Sequence, residues 1–119
     1  MAPEATQRSF AKLGVPALVV GTCYPGVDLP SVDFDHHAVG WHAAGTIIRH
    51  GHRRIGLILP DQPSPGDQAI QQEFVRYLRQ RARHATLTEV HSPADPVRHR
   101  ARLDHLLRSP DRPTVLLTM

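Results

Sequence analysis

Cysteine is nearly missing: Cys23 is the only one in 119 residues. No disulfide can close within the chain, so its fold must rest on a buried apolar core. That usage fits a reducing compartment, and the expected location is the cytoplasm. Lysine is nearly missing too, since Lys12 stands alone among 14 lysines and arginines. The arginines are scattered and interleaved with acids, whereas a nucleic-acid-binding module concentrates its basic residues on one face. Long apolar runs are also lacking. Nothing is long enough to span a membrane, and the opening MAPEATQRSF has no signal-like apolar segment.

Several chemical signatures are absent as well. There is no HExxH or paired-cysteine zinc motif, no phosphate loop, no GxGxxG, and no GxSxG nucleophile elbow. Cys23 lies in a turn-rich loop, and Ser64 sits between prolines. Nucleophilic catalysis has little to build on, and the expectation is that the chain is not an enzyme and holds no cofactor or metal.

What the chain does contain is alternation. Pro3 at a first helical position, followed by Glu4, predicts a helix to about Lys12, stopped by Gly14. VPALVV, residues 15–20, reads as a strand buried on both faces. Residues 21–31 form a turn-rich loop, and a short strand is expected over Val32 to Phe34. Asp35 is a natural cap for a helix with Val39, Ala43, Ile47 and Ile48 at helical spacing, ended by Gly51. Ile55 to Leu59 is a second buried strand. PDQPSPG cannot extend it, because proline lacks a ladder donor. Asp67 is expected to cap a helix with Ile70, Phe74, Tyr77 and Leu78 inward. Thr86 to Val90 reads as a more exposed strand. Asp95-Pro96 opens a last helix lined by Val97, Ala101, Leu103, Leu106 and Leu107, and Thr114 to Thr118 is a final apolar strand. Strands alternating with helices predict an α/β fold with parallel sheets and flanking helices.

One stretch poses a separate question. RHGHRRIGLILP, residues 49–60, sets His50, His52, Arg53 and Arg54 against an apolar run. The cluster reads either as a metal or anion site or as the polar collar of a buried strand. The absence of any metal motif favours the collar.

VDFDHHAVGWHAAGTIIRHGHRRIGLI, residues 32–58, resembles the effector-binding domain of LacI/GalR-type transcriptional regulators. The resemblance rests on Val32, Asp35, Gly40, Ala43, Ile47, Gly51, His52, Arg53, Arg54 and Ile55. LGVPALVVG, residues 13–21, and LLRSPDRPTVLL, residues 106–117, resemble the family's preceding strand and its later helix-turn-strand. The resemblance implies a periplasmic-binding-protein-like type I fold, with two α/β lobes around a ligand cleft, present here incompletely. It implies residues 1–52 in the N-terminal lobe and 53–119 in the C-terminal lobe, with the DNA-binding headpiece outside this sequence. It further implies a small-molecule effector and a homodimer, with DNA contacted only through the headpiece and no membrane partner.

Ligands in parallel α/β sheets sit beyond the carboxyl ends of the strands. The candidate ligand-binding residues in those loops are Asp61, Gln62, Ser64 and His91, with Asp35 at the lobe edge. Some family features differ here. The family's clamping arginine falls at Ile70, its stacking aromatic near Ala94, and a glycine near His99. Ile70 has no donor and Ala94 no ring, so either the effector is not an ordinary sugar or purine or this copy has lost its ligand. Two other readings remain: a solute-binding protein of a transport system with the same fold, and a small metal-dependent enzyme using the histidine-rich segment. Strand edges without neighbours also predict poor solubility or a non-native dimer for the isolated chain.

Overall fold

The computed structural model describes residues 2–119. In chain order the elements are α1 (Glu4–Leu13), β1 (Val19–Val20), β2 (Ser31–Val32), α2 (His36–Arg49), β3 (Arg54–Pro60), α3 (Pro65–Arg81), β4 (Thr86–Ser92), α4 (Pro96–Arg108) and β5 (Val115–Thr118). All strand pairing is parallel. β1 pairs with β2, and a second sheet runs β4-β3-β5. The α/β class expected from alternation is therefore the class observed. Among the described residues, no helix is long and apolar enough to cross a membrane.

The centre of the larger sheet is β3. Ile55, Gly56, Leu57, Ile58 and Leu59 are all buried, because strands flank β3 on both edges and helices cover its α2–α3 face. Paired residues of parallel strands share a face. Ile55 and Leu57 therefore point with Val115, Leu117 and Leu87 toward α2 and α3, where Phe74, Leu78, Ala44 and Ala82 complete the core. The opposite face carries Gly56, Ile58, Thr88, Val90, Leu116 and Thr118. A Cβ at Gly56 would meet Leu116 Cδ2 at 2.5 Å and Pro113 Cγ at 3.1 Å, so the end of Leu116 would have to shift to admit it.

Helices α2 and α3 pack closely because α2 presents small residues to its partner. Gly40, Ala44 and Gly45 are its buried positions. Of the expected stripe, Ala43, Ile47 and Ile48 pack half-buried against the core, while Val39 is 46% exposed. The apolar spacing was real, but the backbone approach is made by glycine, which carries no hydropathy signal. Trp41 and Tyr77 then meet edge to face, with ring centroids 4.8 Å apart, and the Arg76 guanidinium stacks 5.1 Å from the Trp41 ring.

This packing bears on the division expected at His52. Ala44 of α2 shares one core with Ile55 of β3 and with Phe74 and Leu78 of α3. The packing thus carries α2, β3 and α3 across residue 52 in one hydrophobic cluster.

Helix ends follow the chemistry of their caps. Asp35 Oδ1 accepts the Ala38 N–H at 2.9 Å, and Asp95 accepts from Val97 at 3.0 Å, both at the expected places. Helix α3 starts earlier than expected. Ser64, not Asp67, is the cap: its hydroxyl accepts the Asp67 N–H at 3.2 Å while Asp67 Oδ2 accepts the Ser64 N–H at 2.8 Å. Pro65 suits the first helical position because an N–H there has no partner to lose. At the end of α2, Gly51 adopts φ 86°, which lets the His52 N–H return to the Ile47 carbonyl at 3.3 Å.

The N-terminal part departs most from expectation. VPALVV does not form a strand buried on both faces. Only Val19–Val20 pairs, Val19 is buried, and Val20 is 76% exposed. Likewise β2 is Ser31–Val32 rather than 32–34, and Phe34 is 84% exposed. A two-stranded sheet has too few neighbours to cover these side chains. Helix α4 is also thinly covered. Leu106 is buried, but Val97 and Leu107 are exposed and β5 alternates half-buried with exposed. Among the described residues, the outer edges of β4 and β5 are unpaired. Analytical ultracentrifugation of the isolated chain should therefore show concentration-dependent self-association. A monomer that unfolds cooperatively at low concentration would contradict this.

One polar residue anchors the N-terminal part. Gln7 is 1% exposed, its Oε1 accepts the Tyr24 N–H at 3.0 Å, and its Nε2 donates to the Ala2 carbonyl at 3.2 Å. Gln7→Met keeps the length but strands those partners. It should cost about 1–3 kcal/mol by chemical denaturation, with faster amide exchange at Tyr24.

Candidate functional site

The carboxyl ends of β3, β4 and β5 open onto one cavity of about 650 Å³. That size suits a small metabolite. The cavity is reached because β3 ends at Pro60, which has no N–H to extend the ladder, and β4 ends at Ser92-Pro93 for the same reason. Ile58, Pro60 and Pro93 supply apolar wall, and Thr118 and Met119 close the β5 side. Asp61, Gln62, Ser92 and His99 supply the polar groups. Ser92 Oγ lies 2.6 Å from His99 Nδ1, which ties the β4 end to the first turns of α4.

The expected site residues divide at this point. Asp61 and Gln62 line the cavity. Ser64 does not; its hydroxyl is committed to the α3 cap. Asp35 likewise caps α2. His91 is exposed and alternates with Ser92, so its side chain takes the α3 face with Glu89, while its carbonyl accepts from Arg102. Ser92 and His99 were missed as a pair. His99 drew notice only as a departure from glycine, and strand alternation placed Ser92, not His91, on the cavity side. Ala94 also borders the cavity, while the Ile70 carbonyl packs against Gly40 of α2.

The basic collar lies at the other end of β3, about 20 Å away for a seven-residue strand. Each member is bound locally. His50 Nδ1 is 2.8 Å from the Thr46 carbonyl, and His52 Nδ1 is 3.0 Å from Thr114 Oγ1. Arg53 donates to the Ile48 carbonyl at 3.0 Å and to His84 Nε2 at 2.8 Å, and Arg54 donates to the Arg112 carbonyl at 3.0 Å. The collar thus ties the last turn of α2 and the starts of β4 and β5 to β3. Among the described residues, no group of three or more His, Cys, Asp or Glu is placed to hold a metal ion.

A second polar cluster sits where the β1–β2 unit joins α2. The Thr22 hydroxyl donates to Asp33 Oδ2 at 2.5 Å, His36 Nε2 lies 2.9 Å from the same oxygen, and the Phe34 N–H donates to Asp33 Oδ1 at 2.8 Å. The His36 ring packs on Gly66 at the start of α3. The Thr22 hydrogen bond holds the Asp33 carboxyl below its ordinary value; the next-largest influence, desolvation, opposes it, and the hydrogen bonds of Phe34 and His36 add smaller lowering contributions. A depressed folded-state value contributes stability that is fully present above the unfolded value of about 3.9 and is lost as pH falls through the folded one. Below about pH 4, the wild type should therefore lose stability more steeply than Asp33→Asn in acid titrations followed by circular dichroism. Parallel acid limbs would remove Asp33 from the linkage.

No protein-family profile and no curated protein matches the chain. Solved structures do. A LacI transcriptional regulator from a Rhodococcus species superposes with a TM-score of 0.76 at 24% identity, over 99% of this chain and 43% of that one. A regulatory protein of the LacI family from Chloroflexus aggregans gives 0.73 at 23% identity, over 94% and 41%. This chain shares the fold of part of these LacI-type regulator structures. A LacI family transcriptional regulator from Enterococcus faecium, solved with bound ribose, gives 0.73 at 19% identity over 99% and 44%. The chain thus spans less than half the length of the LacI-type structures it matches, and the match is one of fold.

Proposed function

We propose that the chain is part of the small-molecule-sensing domain of a LacI/GalR-like transcriptional regulator, with the effector bound at the carboxyl ends of β3, β4 and β5. The observation that carries this is the cavity there, lined by Asp61, Gln62, Ser92 and His99, in a fold shared with LacI-type structures over nearly all of the chain. Effector binding in the intact protein changes the lobe arrangement and the dimer geometry, and so DNA affinity through a headpiece. That requires the ligand to prefer one arrangement. The two lobes meet near Asp33 to Asp35 in this reading, because α2 packs with β3 and α3 rather than with β1 and β2. The cytoplasm is the matching location.

The test is an amide-shift titration of the chain with a panel of small polar metabolites. Perturbations should cluster at Asp61, Gln62, Ser92 and His99. The competing site is the groove of about 540 Å³ between β4 and α4, lined by Val90, Ala101, His105 and Leu106. Shifts confined to that groove would refute the assignment.

A further inference from the structure

The cavity at the ends of β3–β5 carries a charge pattern unlike that of the chain as a whole. The sequence holds 14 lysines and arginines, yet none lines this cavity. Its one formally charged side chain is the carboxylate of Asp61. Two arginines of α4 are engaged elsewhere, Arg98 with Asp95 and Arg102 with the His91 carbonyl. The remaining polar groups are neutral amide and hydroxyl functions at Gln62, Ser92 and Thr118, together with the imidazole of His99. Ser92 occupies Nδ1 of that imidazole, so Nε2 is the ring atom left to a ligand.

An ionised carboxylate only accepts hydrogen bonds, and an ammonium group only donates them. A ligand amine therefore satisfies Asp61 directly. A ligand carboxylate or phosphate would instead leave water to face Asp61 with no cation on this wall to offset the repulsion. We infer that the cavity selects a small polar ligand bearing a protonated amine over its neutral or acidic counterpart, through Asp61. The inference rests on the binding reading above and adds the chemical class of the ligand.

Three probes on one hexose framework isolate the charge: D-glucosamine, D-glucose and D-gluconate, titrated into the full chain at neutral pH and low salt and followed by amide shifts. Glucosamine should bind about two- to fivefold more tightly than glucose, as suits one solvent-facing charge pair, and gluconate more weakly than either. Asp61→Asn, checked for an otherwise unchanged spectrum, should erase that order, and high salt should compress it. Gluconate binding as well as glucosamine, or an order that survives Asp61→Asn, overturns the charge preference while leaving the cavity as the site. No shift at Gln62, Ser92 or His99 with any of the three overturns both the preference and the site.

Discussion

Phe74→Ala should cost about 3–5 kcal/mol, the range for truncating a fully buried aromatic. Phe74 is 0% exposed and fills the space between α2, α3 and β3, touching the cluster of Ala44, Ile55, Leu78 and Ala82. Two of those neighbours are alanines, which have no rotatable side chain to reach into the gap. The lost transfer energy and the residual cavity therefore add. Native domains hold only about 5–15 kcal/mol in total, so such a loss is a large fraction of what is available. The variant should shift the urea midpoint by a large fraction of its value or unfold outright at room temperature. Val97→Ala is the control, since Val97 is 76% exposed and should change stability by less than about 0.5 kcal/mol. A Phe74→Ala cost under about 1 kcal/mol would mean that α3 does not pack on β3 as described.

The second large effect comes from adding one carbon rather than removing several. A Cβ at Gly40 would clash with the Ile70 carbonyl oxygen and lie 3.1 Å from Glu73 Cβ. The first contact is with backbone, so no rotamer change relieves it and the helices must separate. Helix propensity favours alanine over glycine by about 1 kcal/mol, while overpacking costs about 1–3 kcal/mol and more against a rigid partner. The clash wins, and Gly40→Ala should destabilise by about 2 kcal/mol or more. Gly45→Ala has the opposite expected sign. Its Cβ would meet only the end of Arg49 at 3.3 Å and the Tyr77 ring at 3.4 Å, which can give way, so propensity should leave it neutral or slightly stabilised. Thermal melts of the two variants side by side decide the matter. Equal melting temperatures would contradict the close α2–α3 contact.

The sequence pointed to the loops that border the cavity, but not to all of the side chains that line it. Proline-bounded strand ends located the loops that carry Asp61 and Gln62. Ser64 and Asp35 serve as caps, since short polar side chains before a helix suit both caps and ligand groups and here the unpaired helix N–H groups claim them. His91 and Ser92 are adjacent, so choosing between them required the strand register. The Ser92–His99 contact joins two elements across a turn, and no local pattern signals it.

The amino-acid order by itself determined the alternation of helices and strands, the central place of Ile55 to Leu59, the caps at Asp35 and Asp95, and the left-handed turn at Gly51. Each of these follows from neighbours within a few residues: apolar runs, side-chain acceptors beside free N–H groups, and a residue without a Cβ. Only the tertiary structure decided that α2 joins β3 and α3, that glycines rather than valine form its contact face, and that VPALVV is mostly uncovered. Burial is a property of what stands opposite a side chain, and that partner lies tens of residues away, or, for Val20 and Phe34, nowhere within the described residues.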